Sequence, residues 1–83
     1  MSAPKWTGPA PLVIASAIAD GFTSRGFRAV CKPGLTYPGD VRVVVDGDDI
    51  AYVTAAGDVH VYVRQDAEGR PVVNGKLLAR SAA

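Results

Sequence analysis

The chain has 83 residues, of which 48% are hydrophobic and 20% are charged, and nine basic against eight acidic residues give a formal net charge of +1. This length predicts a single domain with a modest core, and this composition excludes both a disordered tail and a polycation. The near-neutral charge argues against general nucleic-acid binding, which needs several Lys or Arg side chains to neutralise phosphates.

The first segment, residues 1–11 (MSAPKWTGPAP), is rich in Pro, Gly and small residues and predicts an extended arm. Trp6 lies in the middle of this arm, where it either folds back onto the domain or anchors the arm in a partner. Residues 10–19 (APLVIASAIA) resemble the apolar part of a signal peptide, but Pro9 and Pro11 interrupt it and Lys5 is a thin basic flank. We therefore expect neither a signal peptide nor a membrane span.

A helix is predicted from Pro11 to Arg25, with Pro in the first turn and Gly26 as the stop. One apolar stripe would hold Leu12, Ala15, Ala19 and Phe22. Residues 27–32 (FRAVCK) predict a short strand. Cys31 is the single cysteine of the chain, so it has no disulfide partner within it, and we assign it no role.

Residues 33–40 (PGLTYPGD) contain two Pro-Gly turns and predict a rigid loop. Such loops carry function more often than the elements that they connect. Tyr37 at the tip of this loop is a candidate contact residue, with a lid over the edge of the core as the alternative.

Residues 41–64 predict two consecutive β-hairpins, with Val45 paired to Ile50 and Thr54 paired to Val59. This register predicts a core face that contains Val41, Val43, Val45, Ile50, Tyr52, Val59, Val61 and Val63. The outer face then holds Val44, Ala51, Val53 and Tyr62 beside Arg42, His60 and Arg64. Because an outer face in water should be mainly polar, we expect a partner to cover this one. Val61→Glu should unfold the domain and Tyr62→Glu should not.

Residues 70–79 (RPVVNGKLLA) predict a third hairpin around Asn74-Gly75, with Pro71 placing it at the sheet edge. Val72 and Leu77 would extend the outer face beside Tyr62. The predicted fold is therefore α+β, with one N-terminal helix packed on an antiparallel meander of four to six strands. Residues 1–11 form the arm, residues 12–80 the single domain and residues 81–83 a tail.

Two groups of residues carry side chains that could bind a metal or act in catalysis. The acidic turn residues, Asp46, Asp48 and Asp49 with Asp66 and Glu68, lack the ligand spacing of a calcium loop, and turn formation alone explains them. His60 has no Ser, Cys or carboxylate placed beside it by the predicted register, as a general base would need. We expect no metal, no cofactor and no enzymatic activity.

The sequence thus predicts a protein-protein interaction or assembly module that binds copies of itself or other subunits. The plan of one helix before a meander is also that of small phage neck, tail-completion and decoration proteins. We expect the chain in the cytoplasm, or in a virion if it is a phage component. One alternative is a nucleic-acid-binding or regulatory module, and another is a small inhibitor that blocks a host enzyme. The predicted partner-binding residues are Trp6, Tyr37, Arg42, Val44, Val53, His60, Tyr62 and Arg64.

Overall fold

The computed structural model describes residues 10–78, so the predicted contact residue Trp6 lies outside the described residues. One helix, α1 (Pro11–Ser24), precedes seven strands. These are β1 (Ala29–Pro33), β2 (Val41–Val45), β3 (Asp48–Val53), β4 (Val59–Val61), β5 (Arg64–Gln65), β6 (Pro71–Val73) and β7 (Lys76–Leu77). Strands β1 to β4 form one antiparallel sheet and strands β5 to β7 form another, each in chain order. The predicted α+β fold is confirmed, with the strands divided between two sheets.

The helix begins and ends where the sequence predicts, within one residue. Pro11 occupies its first turn. At the other end the N–H of Phe27 donates to the carbonyl of Phe22 (3.1 Å) and the N–H of Gly26 donates to that of Thr23 (3.0 Å), which is a Schellman motif. Gly26 has φ 94°, a conformation that residues with a side chain adopt at a cost. The rings of Phe22 and Phe27 meet edge to face at 5.8 Å and seal this end.

The core lies between α1 and the inner face of strands β1, β2 and β3, on which the helix packs. Ala15 and Ala19 are the buried residues of the helix, and their small side chains allow a close approach to the sheet. Leu12, predicted in the same apolar stripe as these alanines, is 56% exposed. The second sheet contributes Val73 to the same core, and Leu78, directly after β7, also belongs to it, so both sheets share one hydrophobic cluster.

The first hairpin departs from the predicted register. Asp46 and Gly47 have φ values of 53° and 82°, which makes them the two central residues of a type I′ turn. Val45 therefore pairs with Asp48, and the predicted pair of Val45 with Ile50 is wrong. A register shift on the other strand, a β-bulge, accommodates the extra residue, so that Ile50 and its neighbour Ala51 are both buried.

The bulge shifts β3 by one residue against β2, and a shift of one residue exchanges the two faces of a strand. The turn after β3 is also one residue longer than predicted, so the predicted pair of Thr54 with Val59 is wrong. Val53 pairs with Val59 and Tyr52 with His60. Val53, predicted on the outer face, is fully buried, and Tyr52, predicted in the core, lies on the outer face beside His60. Val61 was predicted in the core but is 58% exposed, because α1 covers strands β1 to β3 and β4 lies beyond it. Because Val61 is exposed, a charge at this position would not enter the core, and Val61→Glu is not expected to unfold the domain.

The third hairpin forms around Asn74 and Gly75, with φ values of 52° and 79°, as the sequence predicts. The hairpin lies at the edge of its sheet, as predicted, because β7 is an edge strand, but Pro71 itself belongs to the middle strand β6. Pro71 is tolerated there because it is the first residue of β6, where a missing N–H costs little.

Candidate functional site

A groove of about 330 Å³ on the outer face of the four-stranded sheet brings together the three tyrosines of the chain and its single histidine. We call it the tyrosine groove. It is lined by Thr36, Tyr37, Asp40, Tyr52, Thr54, His60 and Tyr62. The residues come from the loop before β2, from β3 and β4, and from the positions directly after these two strands, so the fold of the sheet assembles the groove.

Tyr52 forms the centre of the groove. It lies directly opposite His60 in the ladder of β3 and β4, so the two side chains share the outer face. Its hydroxyl donates to Asp40 Oδ2 (2.7 Å) and accepts from the N–H groups of Leu35 and Thr36, both at 3.2 Å. Tyr52 therefore ties the loop of residues 34–40 to the sheet.

Asp40 is the buried carboxylate beneath the groove, with 5% of its surface exposed. Besides the Tyr52 hydroxyl, it accepts the N–H of Ala55 at Oδ1 (2.8 Å) and the N–H of Tyr37 at Oδ2 (3.2 Å). The hydrogen bond from Tyr52, followed by that from Ala55, lowers the pKa of Asp40 below its ordinary value. A carboxylate that is charged and already bonded to three donors holds the site together and is poorly suited to act as a base.

The backbone of the loop is fixed by Gly34. Its N–H donates to the carbonyl of Asp40 (2.8 Å), which closes the loop. Any side chain at position 34 would collide with Asp40 and with the Tyr52 hydroxyl, so the close approach requires glycine. The closed loop presents Tyr37 with 69% of its surface exposed.

Tyr62 forms the opposite wall. Its N–H donates to the carbonyl of Ile50 (2.9 Å), which continues the β3–β4 ladder beyond β4, and its side chain is 48% exposed. A second cleft, of about 550 Å³, lies on the far side of this side chain and is lined by Val61, Tyr62, Arg64, Val72, Asn74 and Gly75. Val72 thus shares a surface with Tyr62, as predicted.

The structure brings together part of the predicted contact set. Tyr37, His60 and Tyr62 line the groove, and Arg64 lines the neighbouring cleft. Val44 lies on the outer face opposite Asp49 but is only 4% exposed, so it has no surface to offer a partner. Val53 is in the core. The sequence analysis did not identify Tyr52 or Asp40 as groove residues. The Asp46-Gly47 pair, which is typical of a two-residue hairpin turn, was the signal that would have placed Tyr52 on the outer face. No sequence signal pointed to Asp40.

Arg42 is bonded within the sheet. Its Nη1 donates to Asp49 Oδ1 (3.1 Å) and its Nε donates to the carbonyl of Pro33 (3.0 Å). Further ion pairs join Arg70 to Asp66 and Glu68 and Lys76 to Asp48. Several of the basic side chains that could contact phosphates are therefore already paired with carboxylates.

Among residues 10–78, no group of three or more His, Cys, Asp or Glu side chains is placed to hold a metal ion. Within that same range, no helix has both the length and the apolar character needed to cross a membrane. Comparison with protein-family models, with curated proteins and with solved structures finds no match to this chain.

Proposed function

We propose that the chain is a non-enzymatic protein-protein interaction and assembly module, and that its tyrosine groove binds other protein subunits, copies of the chain among them. The observation that carries the proposal is the convergence of three tyrosines and one histidine in one groove. Tyrosine is enriched at protein interfaces because its ring offers a large contact area at a low entropic cost, while its hydroxyl remains available for hydrogen bonding.

The hydrogen bonds beneath the groove support this proposal. Asp40 and Tyr52 connect the loop of residues 34–40, strand β3 and the turn at Ala55. A surface held in place before binding loses less conformational entropy when a partner arrives. The network thus favours a preformed docking site.

The same network favours binding over catalysis. A general acid or base must reach its substrate with a group that can gain or lose a proton. Asp40 is the carboxylate that lines the groove, and its oxygens already accept hydrogen bonds from Tyr52, Ala55 and Tyr37. His60 is left without an orienting carboxylate among the groove residues.

Among binding roles, a structural subunit of a larger particle, such as a phage, is the one that the plan of helix and meander favours. The nucleic-acid alternative is weakened by the net charge of +1 and by the ion pair that occupies Arg42. A small inhibitor protein would use the same groove to cover the site of its target.

The experiment is sedimentation analysis of the purified chain over a range of concentrations at low and at moderate salt. We expect a mass above the 8.6 kDa of the monomer that changes little with salt, because contacts of aromatic and apolar groups are not screened. Tyr62→Ala should weaken this association by about tenfold or more. Leu12→Ala is the matched control, since Leu12 lies on α1 away from the groove and is 56% exposed, against 48% for Tyr62.

Two results would contradict the proposal. An unchanged association of the Tyr62→Ala variant would mean that the groove is not the interface. Binding of a labelled oligonucleotide that is lost with rising salt, and lost again in Tyr62→Ala, would instead favour the nucleic-acid module.

A further inference from the structure

Strand β4 is an edge strand of its sheet, and its outer edge is unpaired within the described residues. The N–H of Thr54 donates to Asp58 and the N–H of Tyr62 donates to Ile50, so even-numbered residues of this strand face β3. In an antiparallel ladder the intervening residues face the other way. The N–H and C=O groups of Val59 and Val61 are therefore directed outward, where an extended chain could pair with them.

The other edge strands carry residues that discourage pairing. Natural sheets protect their edges with charged side chains, above all Lys, and with Pro. β1 ends in Lys32 and Pro33, β5 begins with Arg64 and β7 begins with Lys76. β4 reads Val-His-Val and contains none of these residue types. Of the edge strands in residues 10–78, it is the one best suited to accept another strand.

Both faces of β4 are also uncovered. Val59 and Val61 are 44% and 58% exposed on the side of the sheet that carries α1, because the helix stops short of this strand. On the other side His60 and Tyr62 line the tyrosine groove. A strand added at this edge would bury valine side chains on one face and aromatic rings on the other.

The two ends of the described chain, Ala10 and Leu78, lie away from the outer edge of β4. Ala10 lines a cavity with Lys32, Pro33 and Val41, at the β1 side of the sheet. Leu78 donates its N–H to Pro71 and lines a cavity with Phe27. Neither terminal segment leaves the domain beside β4, which favours an occupant from a second molecule.

We infer that the outer edge of β4 pairs antiparallel with β4 of a second copy of this chain, symmetrically about Val61. In this register each Val61 exchanges both backbone hydrogen bonds with its counterpart, and His60 stands opposite Tyr62 of the second copy. Valines meet valines on the helix side and aromatic rings meet on the groove side, so the strand is complementary to itself. This inference rests on the proposed assembly function and names the partner and the line of contact.

The first test is Val61→Lys, which places a charge on the edge without entering the core. Val13→Lys is its control, since Val13 is 59% exposed on α1 and Val61 is 58% exposed. Circular dichroism should show both variants folded. Sedimentation should show dimerisation weakened by about tenfold or more in Val61→Lys and unchanged in Val13→Lys.

The second test is cross-linking in a Cys31→Ala background, which removes the single native thiol. Val61→Cys should form a disulfide-linked dimer on mild oxidation, because the register places the two residues opposite each other at a bridging distance. Val13→Cys should form no disulfide-linked dimer at the same protein concentration. This readout does not depend on the Val61→Lys variant being stable.

The two proposals fail in different ways. If Tyr62→Ala abolishes association while Val61→Lys associates normally and Val61→Cys does not cross-link, the groove is the interface and the edge pairing is wrong. If the wild-type chain is monomeric at all concentrations and Val61→Cys does not cross-link, pairing between copies is wrong altogether.

Discussion

At the scale of single residues, Asp40 determines the shape of the tyrosine groove. One carboxylate accepts hydrogen bonds from a strand side chain (Tyr52), from its own loop (Tyr37) and from the turn after β3 (Ala55). Buried polar groups stabilise a fold when all of their hydrogen bonds are made, and become costly when one partner is removed. The groove should therefore be sensitive to any change of this one side chain.

The pKa of Asp40 in the folded chain is lowered, chiefly by the hydrogen bond from Tyr52 and next by that from Ala55. A lowered folded-state pKa means that the ionised form favours folding. Its contribution is complete above the unfolded-state pKa, near pH 4, and is lost as the pH falls through the folded-state pKa. We expect the wild-type melting temperature to fall steeply below about pH 4.

Asp40→Asn should lower the melting temperature at pH 7. It should also make the fall of the melting temperature below about pH 4 shallower than in the wild type. Some decline should remain, because hydrogen bonds from Arg70 also lower the pKa of Asp66. Thermal melts at a series of pH values measure this, with the exposed Asp20→Asn on α1 as the control. An Asp40→Asn profile parallel to that of the wild type would show that Asp40 does not stabilise the fold through its charge.

At the scale of elements, the turns decide how much of the structure the sequence predicts. Asn74-Gly75 and Asp46-Gly47 are both type I′ turns. The sequence predicts a hairpin turn at Asn74-Gly75. At Asp46-Gly47 the predicted register has a longer loop, of residues 46–49, because strict alternation along β3 then places Ile50 on the core face. The β-bulge allows Ile50 to be buried with the shorter turn. A bulge leaves no simple mark in the hydrophobic pattern, and the prediction therefore assigned the residues of β3 near Tyr52 and Val53 to the wrong faces of the sheet.

The candidate site was predictable to the same extent. Tyr37, His60 and Tyr62 were identified because a loop tip and the face of β4 follow from local pattern. Tyr52 was missed because its face depends on the bulge. The role of Asp40 depends on its contacts with Tyr52 and Ala55, which follow it by 12 and 15 positions in the chain. No local spacing in the sequence reveals such contacts.

The two glycines near the end of α1 make a matched pair for testing the predicted helix stop. Gly26 has φ 94°, so Gly26→Ala should destabilise the fold by about 1 to 2 kcal/mol. Gly21 lies within the helix with no atom near an added Cβ, so Gly21→Ala should stabilise it by about 0.5 to 1 kcal/mol. Urea unfolding measures both changes, and equal effects of the same sign would contradict the assigned Schellman motif.

At the scale of the whole molecule, the two sheets are joined by a common core. Val73 of the second sheet is 1% exposed and packs in the cluster that contains Val43, Val45 and Ile50 of the first. The ion pair of Lys76 with Asp48 (3.4 Å) connects the third hairpin to the first at the surface. Because such exposed pairs contribute little, the shared apolar contacts must provide most of the coupling between the sheets.

This coupling predicts that the domain unfolds in one transition although it has two sheets. Val73→Ala removes buried methyl groups and should destabilise the whole domain by about 1.5 to 3 kcal/mol. Val72→Ala, at the adjacent half-buried position, should cost less. Hydrogen exchange of amides in β2 and β3 provides the decisive readout, because those strands lie in the other sheet. In Val73→Ala the slowest amides of β2 and β3 should lose protection by the same free energy that urea unfolding measures. Unchanged protection in these strands would mean that the second sheet opens by itself and that the two sheets do not share one core.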